Sequence, residues 1–545
     1  LIVGNLVDVR NKIVFPASIS EEDGVITRVE EIEGQYEGFL IPGLIDSHIH
    51  TESSLLCPSR FAEAAVPRGT TAVVANPHEI ANVMGLAGIE YMVKDSGTTP
   101  LRMYFTAPSC VPTTRFETSG ASFGPAEIES MLLRDGFVAL GELTDYHNAV
   151  VRDPDVMARV EVAKRLGKPI DGHAPLLSGE DLRKYVELGI SNDHECTSSE
   201  EAFEKASLGM TIMVRQGSVS KDLEALAPFA KEHEFLLVSD DVSVSELMRG
   251  HMNNALARAV SLGIEPMHAL RAATINPALH YGLPIGAIEP GRKADLVKVR
   301  DLESFVAEEV YVGGRLVGRY GAPLFDVRPK EMVSELLLQR RTPSDFEIGA
   351  SGQSAEVRVI GLVKDEISTE SLTSELRVEV GKVMPDVDKD VLRMAVVNRY
   401  RDAPVSNAFV RGFGLREGAM ASSVSHDSHN IIVVGVGSAD MATAVNALMT
   451  QGGGFCICSR GKCSTLNLHV AGLMSTRHAL EVKHALDSMQ EAAWALGSTL
   501  ESPFMTMSFL SLLVIPKLKL SDRGLFDVEG FGFTDVVVGP SGPVS

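Results

Sequence analysis

Basic residues are in short supply in this chain. Lys and Arg total 50 against 72 Asp and Glu, a formal charge of −22 over 545 residues. A nucleic-acid binder needs a basic footprint to neutralise phosphates, so no nucleic-acid partner is expected. Long apolar runs are missing too: none approaches the ~20 residues that cross a bilayer. The most apolar stretch near the end, Ser508 to Lys517, is too short and is broken by Pro516, so no membrane partner is expected. Leu1 to Val9 lacks a basic start and carries Asn5 and Asp8, which does not read as a secretory signal. Leu1 in place of Met reads as a start inside a longer reading frame. Six Cys make no disulfide framework, and a reduced cytoplasmic setting is the expectation. Cys456, Cys458 and Cys463 match no common zinc spacing and read as three reduced thiols.

What is present is a globular mixture: 45% hydrophobic residues, 48 Gly and 26 Pro. At ~150 residues per domain the length predicts three or four units. From Phe39 to Tyr281 short apolar strands alternate with amphipathic stretches. The strands read as Phe39–His48, Thr70–Ala75, Leu101–Ala107, Phe137–Gly141, Pro169–Gly172, Ile190–Asp193, Met210–Val214 and Phe235–Ser239. Eight strands with room for right-handed crossovers between them predict a (β/α)8 barrel over 44–282. The flanks differ. Leu1–Leu6, Lys12–Ala17 and Gly24–Val29 before the barrel, and Gly286–Pro290, Asp295–Val299 and Val310–Val317 after it, share one short-strand style. They predict a small β-sandwich built from both flanks, 1–43 and 283–325. Pro329–Asp345 reads as a linker or surface helix, and 345–545 as a C-terminal α+β domain.

Position gives the chemistry. In such a barrel the reactive groups sit at the carboxyl ends of the strands. Strand one ends in Asp46-Ser47-His48-Ile49-His50, and strand alternation puts His48 and His50 on one face. Strand four runs into Glu142, strand five into His173, strand six into His194 and strand eight into Asp240. Six N and O donors are thus expected at one rim. Imidazole with carboxylate suits Zn, Fe or Mn and lacks the thiolates of a structural zinc site. Glu142 is placed to bridge two ions, and a bound metal supplies hydroxide near neutral pH. Asp240 would be ligand and proton acceptor at once. Each residue also has a plain reading: a solvated loop carboxylate, a packed histidine, or a helix cap for Asp240-Asp241.

Taken together these residues resemble a known family. Pro42-Gly43-Leu44-Ile45-Asp46-Ser47-His48-Ile49-His50 resembles the opening motif of the amidohydrolase superfamily. Thr51-Glu52-Ser53-Ser54, Asn76-Pro77-His78-Glu79-Ile80-Ala81-Asn82, Asp171-Gly172-His173-Ala174-Pro175, Asp193-His194-Glu195-Cys196 and Met210–Gly217 resemble the adenine deaminase family within it. So do Ser425-His426-Asp427-Ser428-His429-Asn430 and Ala471-Gly472-Leu473-Met474-Ser475, so that the likeness spans essentially the whole chain. The resemblance implies a binuclear centre of iron or manganese, with zinc as a third option. It also implies conversion of adenine to hypoxanthine and ammonia, in purine salvage. By motif, His48 and His50 would hold the more buried ion, Glu142 would bridge, and His173 and His194 would hold the outer ion. Asp240 would complete the inner site and act as the catalytic base. Asn76 departs from the Asp expected in the family's pattern. His78 and Asp241 are the candidate substrate contacts, while Glu52, Glu79 and Glu195 read as caps or supporting hydrogen-bond partners. His426-Asp427-Ser428-His429 is left between a lid over the barrel mouth and a polar network inside the C-terminal domain.

Other readings stand beside this one. A cyclic amidohydrolase of the same superfamily would use the same hydroxide on a carbonyl, and a barrel could serve as a non-catalytic scaffold. Six buried donors argue against the scaffold, because a charge cluster is costly to keep. A cytidine-deaminase-type zinc site fails: His50-Thr51-Glu52 supplies H-x-E, but no P-C-x-x-C follows. A homo-oligomer is expected from the frequency of closed assemblies.

Overall fold

Leu44–His50 is buried at all seven positions, as a strand enclosed on both faces requires. It is β1 of the barrel in this computed structural model, which describes residues 1–332, 336, 338–364 and 366–538. The others follow as β2 Thr70–Ala75, β3 Arg102–Ala107, β4 Phe137–Leu143, β5 Ile170–Gly172, β6 Asn192–Asp193, β7 Thr211–Arg215 and β8 Leu236–Val238. All adjacent pairs are parallel. One run joins β1 to β5 and another joins β6 to β8. A parallel bridge between Ile170 and Ile190 links the two runs, and Asp240–Asp241 pairs with Ile49–His50 to close the ring. Ile45, Ala72, Val74, Ala139, Met213 and Val238, drawn from five strands, pack into one cluster that fills the barrel interior. The expected barrel is therefore present.

Both flanks build one eight-stranded sheet. Its middle is Phe39–Pro42, parallel to Ile2–Asp8 on one side and antiparallel to Leu296–Val299 on the other. The far edge, Val25–Glu31, folds back: Val25 bridges Lys293, and Ile26 N donates to Arg292 O at 2.8 Å. The sheet thereby encloses its own apolar cluster around Leu6, Ile19, Leu40 and Leu296. Two sequence expectations change here. Gly286–Pro290 forms turns, not a strand. Val310–Val317 is a hairpin, Ala307–Val312 against Arg315–Arg319, because Gly313 and Gly314 both take positive φ (56° and 72°), as a two-residue turn between twisted strands demands.

Within 329–345, residues 333–335 and 337 lie outside the described residues, as do 539–545 of the C-terminal unit. Among the described residues of this stretch, read as a linker or surface helix, the helical part is the 3-10 turn Pro343–Phe346. Beyond it stands a second, ten-stranded sheet with Lys382–Val383 at one edge and Lys462–Asn467 at the other, covered by the helix Ser438–Gln451. The reading of three reduced thiols is corrected. Hairpin register places Cys458 opposite Cys463, and the two are joined as a disulfide, leaving Cys456 free. Among the described residues no helix is long and apolar enough to cross a membrane.

Candidate metal centre at the barrel mouth

The six predicted donors converge. His50 Nε2 lies 3.2 Å from Asp240 Oδ1 and 3.3 Å from Glu142 Oε1, and His48 Nε2 lies 3.5 Å from Asp240 Oδ1. On the other side, His173 Nδ1 is 3.0 Å and His194 Nε2 is 3.2 Å from Glu142 Oε2. Glu142 thus turns Oε1 to His50, with His78 Nδ1 at 3.4 Å from the same atom, and Oε2 to the strand-five and strand-six pair. Spacings of 3.0–3.5 Å exceed a good charge-assisted hydrogen bond. They match the edges of a coordination shell with ligand bonds of ~2.0–2.2 Å. His48 Nε2 is buried without a hydrogen-bond partner, an orphan that a cation would satisfy. Burial and the charge of His194 push the His48 pKa down to about 4. Burial alone would raise Glu142, but contacts with His173 and His194 hold it well below the usual carboxylate range.

Local structure explains how each group is aimed. Asp240 sits in the left-handed region at φ 61°, a strained setting for a non-glycine residue that turns its carboxylate into the mouth directly after β8. Gly141 precedes Glu142 because nothing larger fits: a Cβ there would lie 2.8 Å from Asn76 Oδ1 and 2.9 Å from Thr106 Oγ1. Asn76 takes part directly, its amide donating to Glu142 Oε1 at 2.8 Å. An ionised Asp could not make that bond, which gives the departure from the family pattern a physical content. The fully buried Lys205 ammonium bonds Asp193 and the Ala174 carbonyl, fastening the ends of β5 and β6 that carry His173 and His194.

Both candidate substrate contacts, His78 and Asp241, line the cavity. Asp241 accepts from Ser53, and burial and the charge of Asp240 push its carboxyl up. His78 lies 3.3 Å from Glu79 and 3.6 Å from Asp427. Of the supporting carboxylates, Glu52 Oε1 accepts from Ile80 N at 3.4 Å, and Glu195 pairs with Arg215 at 2.6 Å. The SHDSH cluster resolves toward the mouth: His426 and Asp427 line the cavity. His426 and His429 both bond Glu79, Ser428 bonds Glu117, and Asp427 accepts from Thr113. Through His426 and His429, Glu79 straps the barrel to the C-terminal segment, while its Oε1 also lies 3.3 Å from His78.

Arg215 was missed. It is 3% exposed at the end of β7, with Nη1 2.6 Å from Glu195 and 3.3 Å from Asp240 Oδ2 and Nε 2.8 Å from Asp222. Its place at a strand terminus was the available signal. The apolar residues Phe509, Leu512, Val514 and Ile515 also line the cavity, and no motif marked them.

Comparison with known proteins agrees with this geometry. The amidohydrolase family model matches residues 39–317, and the adenine deaminase C-terminal domain model matches 366–532. Adenine deaminase of Methanothermobacter thermautotrophicus is 47% identical over 539 residues, covering 97% of this chain and 98% of that protein. Those of Methanosphaera stadtmanae and Salinibacter ruber are each 43% identical, covering 98% of this chain and 99% and 98% of their own lengths. On a shared barrel, a shared C-terminal domain and identity of this extent, the chain belongs to the adenine deaminase family of the amidohydrolases.

Proposed function

We propose that the chain catalyses the hydrolytic deamination of adenine to hypoxanthine and ammonia. The observation that carries the reading is Glu142, whose Oε1 faces His50 and whose Oε2 faces His173 and His194 across one cavity. Membership of the amidohydrolases implies a divalent metal centre. We assign His48, His50 and Asp240 to an inner ion, His173 and His194 to an outer one, and Glu142 to both. Donors of N and O without thiolate suit Mn, Fe or Zn, and the likeness to adenine deaminases puts Mn or Fe first. When bound, such ions would supply a water acidic enough to attack at neutral pH.

The chain's own groups do the rest. Asp240 accepts the proton of the attacking water and returns it to the exocyclic amine at C6, which leaves as ammonia. Contacts with His48 and His50 outweigh its burial and keep this carboxylate ionised. Arg215 fixes the other oxygen, Oδ2, so that Oδ1 stays aimed into the site. His78 and Asp241 are positioned to hold the ring, and burial of the whole rim excludes bulk water and strengthens these contacts.

The test is release of hypoxanthine and ammonia from adenine by protein loaded anaerobically with Mn or Fe. A cyclic amide substrate turned over in preference to adenine contradicts it. Domain limits at 1–43 with 283–325, 44–282 and 345–545 belong to the same proposal, supported by the separate sheets. Deamination of the free base fits purine salvage. A cytoplasmic home has four buried free thiols for it and the Cys458–Cys463 disulfide against it, and a homo-oligomer rests on the frequency of closed assemblies.

A further inference from the structure

The stretch Ser508 to Lys517, the most apolar near the chain end, has no part in the chemistry above. Phe509, Leu512, Val514 and Ile515 form an apolar cluster of their own with Val219, Ile367 and Met505, apart from the domain cores. All but Met505 line the same cavity as the ligand rim. The Phe509 ring stacks on His426, centroids 4.5 Å apart and planes 15° apart. The cavity is therefore two-faced, with carboxylates and imidazoles from the barrel and an aliphatic and aromatic wall that comes mostly from the C-terminal domain.

Behind the wall lies Lys519, fully buried on the strand Leu518–Ser521. Its Nζ donates to the carbonyls of Ile367 at 2.8 Å and Phe509 at 3.1 Å, one from each wall segment. A lysine buried on two backbone carbonyls is a costly choice, and burial pushes its pKa down to about 7. The placement ties the Ile367 segment to the helical turn at Phe509, adding to the backbone bonds that Thr369 makes with Pro516 and Lys517.

We infer that this apolar wall, set by Lys519 as a positioning residue, is the specificity determinant that admits the free purine base and rejects its nucleoside. The inference rests on the adenine reading above and extends it to residues outside the barrel rim. A planar heterocycle loses little against Phe, Leu, Val and Ile side chains. A ribose carries three hydroxyls, and each one buried against such a wall without a partner weakens binding roughly tenfold.

The test uses the metal-loaded full chain, with kcat and KM for adenine and adenosine measured on the wild type, Leu512→Ala, Val514→Ala and Lys519→Met. In the two wall variants the adenosine-to-adenine ratio of kcat/KM should rise at least tenfold. Lys519→Met should raise KM for adenine more than it lowers kcat, whereas general damage to the fold would lower kcat and metal content together. An unchanged ratio in wall variants that still deaminate adenine overturns the inference. A folding-independent measurement accompanies these: inhibition of the wild type by 2′,3′,5′-trideoxyadenosine and by adenosine. They share one carbon skeleton and differ only in the three hydroxyls, so the trideoxy compound should bind at least tenfold more tightly. Equal affinities overturn the inference. A wild type that releases no ammonia from adenine overturns the activity reading itself, and the inference with it.

Discussion

Arg215 Nη1 lies 3.3 Å from Asp240 Oδ2, on the side of the carboxylate turned away from His48 and His50. The guanidinium also holds Glu195 and Asp222, so it is over-determined in one orientation. Arg215→Met should lower kcat for adenine about 10- to 100-fold, the usual cost of losing a group that orients a metal ligand. Arg215→Lys should recover little, because one ammonium cannot span three carboxylates. Steady-state kinetics with metal analysis of each variant checks this.

Glu79 joins the barrel to the C-terminal domain through His426 and His429, all three buried. The imidazoles hold the Glu79 carboxyl well below its ordinary range against the opposing effect of burial. Glu79→Gln removes one partner and leaves the others buried, so unfolding free energy should fall by about 3–5 kcal/mol. Chemical denaturation of the wild type and the variant reads the difference.

Glu117 at the same junction gives a pH signature. Burial, then the charge of Asp427, pushes its carboxyl up to about 8 from an ordinary value of 4.5. The folded chain therefore keeps a proton that the unfolded chain releases above pH 4.5. Its contribution is fully present below that value and declines as pH rises toward 8, by up to ~1.4 kcal/mol per unit. Glu117→Gln should flatten this decline, so the stability gap between variant and wild type changes between pH 5 and 8. A constant gap across that range contradicts the assignment.

Asn76 orients Glu142 by donating to the oxygen that faces His50. Asn76→Leu should leave the fold intact and reduce metal retention about 10- to 100-fold. Competition with a chelator, followed by metal analysis, measures it.

The barrel and its ligand rim were legible in the sequence for a physical reason. A strand buried on both faces must be apolar, so histidines and carboxylates at its carboxyl end stand out against their neighbours, as in Leu44–His50 and Phe137–Leu143. The flanking sheet was legible in outline, though Gly313-Gly314 concealed a hairpin where one strand was read. Tertiary placement was not legible. Nothing local says that His426 reaches Glu79, 347 residues away in the chain. Nor does apolar composition say whether Phe509–Ile515 belongs to a core or lines a cavity. The Cys458–Cys463 pair likewise depends on hairpin register, which spacing alone does not fix.

The central claim is that six side chains from five strands hold two ions around one cavity. Anomalous diffraction from Mn-loaded crystals, collected at the manganese edge, tests it most directly. The account predicts two peaks per chain, one within bonding distance of His48, His50 and Asp240 and one of His173 and His194, with Glu142 touching both. No peak at the mouth, or ions bound elsewhere with Glu142 outside their reach, would contradict it.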